Sequence, residues 1–557
     1  MILRLVRRSL ARQPGRSLLL LGGYALGVAV TVTLLSIGDA LVEQSRDRRL
    51  VGGGDLAVVP RGLDLETLKT GGVSSLYFRV TQAPFLYRQV LDGPRLEDRI
   101  RAAAPWIEDE LLYLRTDIPA DDPREDARPV SAGGRIPSRS EALGARPELV
   151  GGAWSDVDAD RRWMAPDDST LYAELDRFHL PPPEAAGDST WAEWHYFNLR
   201  LPGRRGWLYL TYMVAGDVPD GRWGGRLLAT RVDPPGAART YSVDVPASAV
   251  QLSTESPDLS VGDASVRLTG DGLYLLRARI PPEGDPGGAP LTLEATVRPG
   301  AGRYLPPVDA SPGAFPSGYA VPILRGSAAG RLCEGGACRR FEGATAYHDH
   351  NWGTWRGVTW DWGQAQAGAY SLVYGRVIGP DGTGGEPGSP GGFAFLADSL
   401  GWLGAFEIDS LGYPPAEAES GDPAAVRLVA SRPGDTLRLS ARVRHLRASP
   451  AGPSPNDAGS GAARQGAERR FLQMEGPARL RGRVLGRRIE ATGEGFYETW
   501  RGGRAGPGPP RARSGPRADP PEAPVHILKS LPAPRPYEAP TDRVRTPPTT
   551  ENEEPIR

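Results

Sequence analysis

Residues 347–353 read Tyr-His-Asp-His-Asn-Trp-Gly, which places a carboxyl group, two imidazoles, a phenol and an indole within one short stretch. On a β-strand successive side chains alternate between faces, so Tyr347, Asp349 and Asn351 share one face and His348, His350 and Trp352 the other. Two chemistries suit this pattern. An aspartic acid among aromatic residues is a candidate proton donor, because desolvation favours the neutral carboxyl, and Trp355, Trp360 and Trp362 follow close behind. His348 and His350 point the same way and can share a metal if His195, Glu193 or His179 supplies a third ligand. The structural alternatives are as concrete. Asp349 can accept backbone N–H bonds at a turn or ladder end, and the tryptophans can fill a core or line a site that only binds. Buried histidines are more often satisfied by hydrogen bonds than by ions, so no metal is expected. All seven residues cannot face one cavity; Asp349 is the leading catalytic candidate, and Tyr347, His348 and His350 are the others.

The stretch Trp191–Leu201, WAEWHYFNLRL, has the same character. Glu193 and His195 share a face with Trp191 and Phe197, a polar pair that is more often structural than catalytic. Trp191, Trp194 and Tyr196, with Trp352, Trp355, Trp360 and Trp362, are the candidate ligand-binding aromatics. The chain has two cysteines, and the spacing Cys333-Glu-Gly-Gly-Ala-Cys338 places a Gly-Gly turn between them. That suits a hairpin-closing disulfide; zinc would need two further ligands, the nearest being His348 and His350, and two free thiols remain the third option.

The elements that must position these residues are strands. Gly (71) and Pro (55) exceed a fifth of the 557 residues, which favours turn-rich β structure over helical bundles. From about residue 150, segments such as EWHYFNLRL, GWLYLTYMV and GLYLLRARI recur between Gly/Pro turns, and the texture returns after 340 in GAYSLVYGRVIG and DTLRLSARVRHL. Two successive β units follow. WLYLTYMV is apolar on both alternating faces, as expected of a strand with one face on an apolar lumen and the other under a cover. Residues 46–116 are expected to form a small connecting region with helical patches such as LEDRIRAAAPWIEDELLYL, and 117–149 a polar linker. Segments 380–392 and 448–469 are expected to be loop insertions, and 501–557 a disordered Pro/Arg-rich tail.

Three separated motifs, WAEWHYFNLRL at 191–201, YHDHNWG at 347–353 and GEGFYETW at 493–500, resemble the hydroxyneurosporene synthase (carotenoid 1,2-hydratase) and AttH-like tandem lipocalin family, in matching order over some 350 residues. The resemblance implies an all-β fold of two lipocalin-like (calycin) barrels, at 150–322 and 323–500. It also implies an activity, hydration of an isolated double bond in an acyclic isoprenoid. That reaction needs a carboxyl kept protonated to make a tertiary carbocation, and aromatic faces to shelter the cation. Asp349, flanked by Tyr347 and Trp352, supplies both residue types.

The N-terminus carries a different signal. Leu18–Ile37 is an uncharged run of twenty residues, enough to span the roughly 30 Å of a hydrocarbon core. Arg4, Arg7, Arg8, Arg12 and Arg16 precede it without an acidic residue, so the positive-inside rule keeps residues 1–17 cytoplasmic and exports the main body. Gly38 and Ala40 also allow a cleaved signal, although the run is longer than a usual signal core. The stretch from Arg8 to Leu41, with DLAVVPRGLD after it, resembles the first helix and outer-domain entry of lipoprotein- and macrolide-exporting ABC permeases over about 70 residues. No second apolar run of eighteen accompanies it, so a working permease is not expected.

A net charge of −1 with 66 basic residues spread along the chain argues against nucleic acid as a partner. Neither a phosphate loop nor a nucleophile elbow nor a nicotinamide or flavin fingerprint occurs, so no cofactor is expected. Two classes of function remain. One is a membrane-anchored, exported carrier of an apolar isoprenoid or lipid, working beside an ABC exporter; the other is an acid-initiated hydratase or isomerase.

Overall fold

Alternation of apolar and polar residues is what the chain obeys over most of its length. In the computed structural model, the residues described are 83–115 (92 excepted), 127–144 and, with short breaks, 153–501, together with a few near the N-terminus, chiefly 22–33. Trp106–Arg115 (β1) and Ala127–Arg135 (β2) form a two-stranded hairpin. This corrects the helical reading of LEDRIRAAAPWIEDELLYL and the uniform linker: 106–115 is extended, and its partner strand lies inside 117–149. A short helix, Pro137–Ala142, follows.

The first barrel comprises β3 (Trp191–Arg200), β4 (Trp207–Asp217), β5 (Arg222–Asp233), β6 (Ala237–Pro246), β7 (Val250–Leu252), β8 (Leu259–Val261), β9 (Ala264–Leu268), β10 (Tyr274–Ile280), β11 (Leu291–Pro299), β12 (Leu305–Asp309), β13 (Ser317–Glu334) and β14 (Ala337–Thr354). Their order is β6-β5-β4-β3-β14-β13-β11-β10-β9-β8-β7, with β12 beside β13. The sheet curls until β6 meets the chain just past β10, where Ser242 N–H donates to the Pro281 carbonyl and Glu283 N–H to that of Thr240. Closure of this kind removes exposed sheet edges.

The second barrel comprises β15 (Thr359–Ala367), β16 (Tyr370–Ile378), β17 (Gly392–Asp398), β18 (Gly401–Gly412), β19 (Ala425–Arg432), β20 (Asp435–Arg442), β21 (His445–Ser449), β22 (Arg470–Val484) and β23 (Arg487–Arg501). Neighbours run β20-β19-β18-β17-β16-β15-β23-β22-β21, and β20 also pairs with β22. That extra pairing closes β15 to β20 with β22 and β23 into an antiparallel barrel of lipocalin type. The fold is all-β, two barrels in tandem, within one unit spanning 65–520. The change of sheet falls between Thr354 and Thr359, not at 322/323, because β13 and β14 are hydrogen-bonded into the first sheet through β3.

Burial explains the two kinds of strand. In β20, Leu437, Leu439 and Ala441 are buried while Thr436, Arg438 and Ser440 are exposed, the pattern of a sheet with one wet face. By contrast β4 is buried throughout. Leu208, Leu210, Tyr212 and Val214 enter the first barrel's core, while Trp207, Tyr209, Met213 and Ala215 pack on Trp362, Val373, Phe395 and Phe496 of the second barrel. Each large side chain buried between the barrels contributes about 2 kcal/mol relative to exposure. The helix Asp168–Asp176, capped by Asp167 accepting from Thr170 N–H at 2.7 Å, tucks Leu171, Tyr172 and Leu175 into the first barrel's core.

Cys333 and Cys338 are bonded across the β13–β14 turn, their Cα atoms 4.0 Å apart. Gly335 and Gly336, at φ of 55° and 83°, take the left-handed conformations that a tight turn there requires. Near the N-terminus residues 22–33 are helical with every side chain exposed. Among the described residues no helix is long and apolar enough to cross a membrane. The expected span Leu18–Ile37 falls partly outside the described residues, as do most of 380–392 and 448–469, Trp355 and the tail from 502.

Candidate functional site

Strand β14 is buried on both faces from Tyr347 to His350, and each face serves a different compartment. Opposite it in β3, Asp349 pairs with Tyr196 and Asn351 with Trp194, whereas His350 pairs with His195 and Trp352 with Glu193. Directly opposed residues share a face. One face therefore gathers Asp349, Tyr347, Tyr196 and Trp194; the other gathers His348, His350, His195 and Glu193.

The first face looks onto a cavity between the two barrels. Its enclosed volume is about 50 Å³, within about 580 Å³ of space that includes the open mouth. Trp194, Tyr196 and Tyr319 from the first barrel and Trp360, Trp362 and Phe471 from the second form its aromatic wall. Asp349 and Glu498 both line it, and among the described lining residues none is basic. The cavity is thus an inter-barrel site, not the barrel lumen that the two-faced apolar strands suggest, because the outer face of β3 and β4 is covered by the second barrel.

Burial drives the Asp349 carboxyl up to about 8, aided by the charge of Glu498 and opposed by hydrogen bonds with Tyr347 and Asn351. Trp362 Nε1–H donates to the Tyr347 hydroxyl at 2.9 Å, which leaves that hydroxyl free to donate towards Asp349. The second oxygen of Asp349, Oδ2, is buried without a hydrogen-bond partner. Burial also raises Glu498 to about 7, against hydrogen bonds from Gln473, Trp360 and Tyr196. Gln473 Nε2 lies 3.1 Å from Glu498 Oε1 and 3.3 Å from the Tyr196 hydroxyl, tying the second barrel's acid to the first barrel's phenol. The cavity can therefore hold one carboxyl neutral beside a second that ionises near neutrality, a pair suited to giving and taking a proton.

On the opposite face, inside the first barrel, six residues converge. Asp176, at the end of the Asp168–Asp176 helix, lies 2.9 Å from His348 Nε2, 2.9 Å from His350 Nδ1 and 3.3 Å from His195 Nδ1. Glu193 lies 2.9 Å from His350 Nε2 and 3.1 Å from His179 Nδ1, and accepts the His179 backbone N–H at 2.7 Å. Asp176, Glu193, His195, His348 and His350 are all fully buried. Burial would raise Asp176, but His348 and His195 hold it well below the usual carboxylate range. Burial lowers His195 to about 4, whereas His350, despite burial, is raised to about 9 by the Asp176 and Glu193 carboxylates 2.9 Å away.

Four of the seven candidate ligand-binding aromatics, Trp194, Tyr196, Trp360 and Trp362, line the cavity. Trp191 instead packs in the first barrel's core, and Trp352 stacks on His179 with ring centroids 3.8 Å apart. Of the catalytic candidates, Asp349 lines the cavity and Tyr347 joins the inter-barrel cluster around it, while His348 and His350 are turned away by the strand's alternation. Sequence reasoning missed Glu498, Gln473 and Asp176. The signal for Glu498 was present in GEGFYETW, an acid between aromatics whose alternation puts Phe496 and Glu498 on one face.

No family model matches the chain, and no curated protein matches it. Solved structures do. An AttH protein of Nitrosomonas europaea is 16% identical, covering 58% of this chain and 96% of that one, with a TM-score of 0.38. CghA with Sch210972 is 15% identical over 58% and 93% of the two chains, with a TM-score of 0.37. Kievitone hydratase from Nectria haematococca is 14% identical over 58% and 93%, with a TM-score of 0.35.

Proposed function

We propose that the inter-barrel cavity takes an apolar, unsaturated ligand such as an isoprenoid and carries out acid-initiated hydration or isomerisation on it. The observation that supports this reading is the pairing of two buried carboxyls, Asp349 and Glu498, in one aromatic cavity with no basic residue among those described. A carrier of apolar molecules gains nothing from two buried acids, since each costs desolvation that shape and apolar area do not require. In the proposed step the Asp349 proton passes to an alkene carbon and the π pair becomes the new C–H bond. The cation forms at the more substituted carbon, in a cavity lined by Trp194, Trp360 and Trp362, whose rings would shelter it. Water then forms the C–O bond and gives its proton to Glu498; in isomerisation Glu498 takes a proton from the neighbouring carbon instead. Solvent exchange at the mouth returns the proton to Asp349.

A second reading, a membrane-anchored carrier, is favoured by the helix at 22–33, which exposes Tyr24, Leu26, Val28, Val30 and Val32 together. Thr31 and Thr33 turn their hydroxyls onto the carbonyls of Gly27 and Ala29, so the exposed surface is apolar. We infer that this helix anchors the chain with the barrels outside, where the permease-like stretch would set it beside an ABC exporter. Incubation of the detergent-extracted chain with acyclic isoprenoids in D₂O separates the readings. Deuterium on carbon, in product or recovered ligand, supports acid catalysis; ligand that is bound and returned unlabelled supports the carrier.

A further inference from the structure

We propose that Asp176, His195 and His348 bind a divalent first-row metal ion, zinc being the ion their donor set suits, in the core of the first barrel. One carboxylate and two imidazoles come from the end of the Asp168–Asp176 helix, β3 and β14, and their donor atoms lie within 4.8 Å of one another. Nitrogen and carboxylate oxygen are ordinary zinc ligands, and the Asp176 oxygens lie 2.9 Å from His348 Nε2 and 3.3 Å from His195 Nδ1, separations that bonds of about 2.1 Å can bridge.

The direction of the protons points to a cation. His348 Nδ1 lies 3.2 Å from the carbonyl oxygen of Tyr196, which can only accept, so the ring carries its proton there. Nε2 then presents a lone pair 2.9 Å from Asp176 Oδ2, another acceptor. Two acceptors at that distance require a positive charge, either a further proton or a metal. A backbone carbonyl that fixes the distal N–H is also the usual support behind a metal-ligating imidazole.

His195 favours the metal. Its ring is fully buried, yet neither nitrogen makes a hydrogen bond, and Nδ1 meets Asp176 Oδ1 at 3.3 Å off the line of one. Asp176 Oδ1 lies 2.9 Å from His350 Nδ1, also off the line of a hydrogen bond. An imidazole without a hydrogen bond in a dry core costs free energy, whereas ligation would satisfy it. The surroundings exclude water: Phe197 stacks on His348 with centroids 3.9 Å apart, and Phe178 stands edge-on to His195 at 5.0 Å. The neighbouring group, His179, Glu193 and His350, is different in kind, because Glu193 already accepts from the His179 backbone at 2.7 and 2.9 Å. It serves as a supporting layer, with Glu193 orienting His350 against Asp176. The ion would tie the helix to β3 and β14 directly behind Asp349, and a site so buried would be filled as the barrel folds.

The test uses the full chain, free of any affinity tag, produced in zinc-supplemented medium. Elemental analysis should find about one zinc per folded chain, and His348→Gln and His195→Gln should each lose most of it while keeping the β-sheet circular dichroism of the parent. Chain refolded with chelator should melt several degrees below chain refolded with ZnCl₂, and Co²⁺ in place of Zn²⁺ should give visible d–d bands. Folded wild-type chain with no stoichiometric metal would overturn the proposal and leave a protonated hydrogen-bond cluster. Retention of full metal by both variants would overturn the ligand assignment. Should neither variant fold, wild-type stoichiometry and the cobalt spectrum decide.

Discussion

Asp349 and His350 are consecutive residues of β14, and one faces the cavity between the barrels while the other faces the interior of the first barrel, 2.9 Å from both Asp176 and Glu193. A single strand thus separates a neutral acid in an aromatic cavity from a charged cluster of histidines and carboxylates. The second barrel makes this arrangement. It covers β3, β4 and β14 from outside, so the face that would be wet in a lone barrel is dry, and a carboxyl on it is forced towards its protonated form.

The raised Glu498 carboxyl has a consequence for stability. Its pKa is about 7 in the folded chain against an ordinary 4.5, so between those values the folded state keeps a proton that the unfolded state has released. Stability from this group is present below about pH 4.5, is lost as pH rises through about 7, and is level above that. Glu498→Gln should therefore flatten the fall and make the chain more stable at pH 8 by as much as about 3 kcal/mol. Asp349 adds a slope of the same sign, so the variant's curve is flatter without being flat. Denaturant melts of both proteins from pH 4 to 9 check this, and parallel curves would remove Glu498 from the buried acids.

The disulfide closes a turn that is already in register, with Cys333 opposite Cys338 and Glu334 opposite Ala337. Both cysteines should resist alkylation until reduced. Replacing Cys333 with serine should cost about 2 kcal/mol or less, because the closed loop is short. Mass spectrometry of alkylated protein with and without reductant gives the first result and a melt the second; rapid labelling of unreduced native chain would show the bond is absent.

Orientation can be read with a reporter fused after Val150. The arginines before Leu18 should hold the N-terminus in the cytoplasm, so a reporter active only after export should score, and one active only in the cytoplasm should not. The reverse pattern would invert the topology.

How much of this was legible in the sequence varies by element. Strands such as Asp435–Arg442 announce themselves, because one face is wet and the alternation is clean. The division of residues along 347–352 into two faces follows from the same period, and the structure keeps it. What the sequence cannot give is the cover. Trp207–Asp217 is apolar on both faces whether it lines a lumen or lies between two barrels, and only the tertiary packing places Tyr209 against Phe496 with centroids 4.6 Å apart. Glu498 escaped notice for that reason: 149 positions separate it from Asp349 in the chain, and nothing in the spacing of either motif says they meet. The edge of the first barrel was misplaced because β13 and β14, each 18 residues long, look from sequence like the opening strands of the second unit.

Asp349→Asn distinguishes acid catalysis from every structural role for this residue. The amide keeps the shape and can still accept from Asn351, but it has no proton to give to carbon, so turnover should fall by at least about a hundredfold, the scale of a lost general acid. Ligand affinity should stay within a few-fold, since the aromatic wall is untouched. Stability separates the alternatives further. If Asp349 served as an ionised acceptor of hydrogen bonds, its loss would cost roughly 1 to 3 kcal/mol. A neutral carboxyl with an unpartnered Oδ2 gives up little on becoming an amide, so the melt should shift by less than about 1 kcal/mol. Glu498→Gln serves as the companion, because loss of the proton acceptor should also slow turnover while removing the charge that helps keep Asp349 neutral. Its pH–rate profile should lose the limb near 7 that Glu498 supplies. Undiminished turnover by Asp349→Asn on a substrate that the wild-type chain converts would sink the assignment of Asp349 as the acid. Glu498, the other buried carboxyl on the cavity, would then be the proton donor left, with Tyr347 behind it.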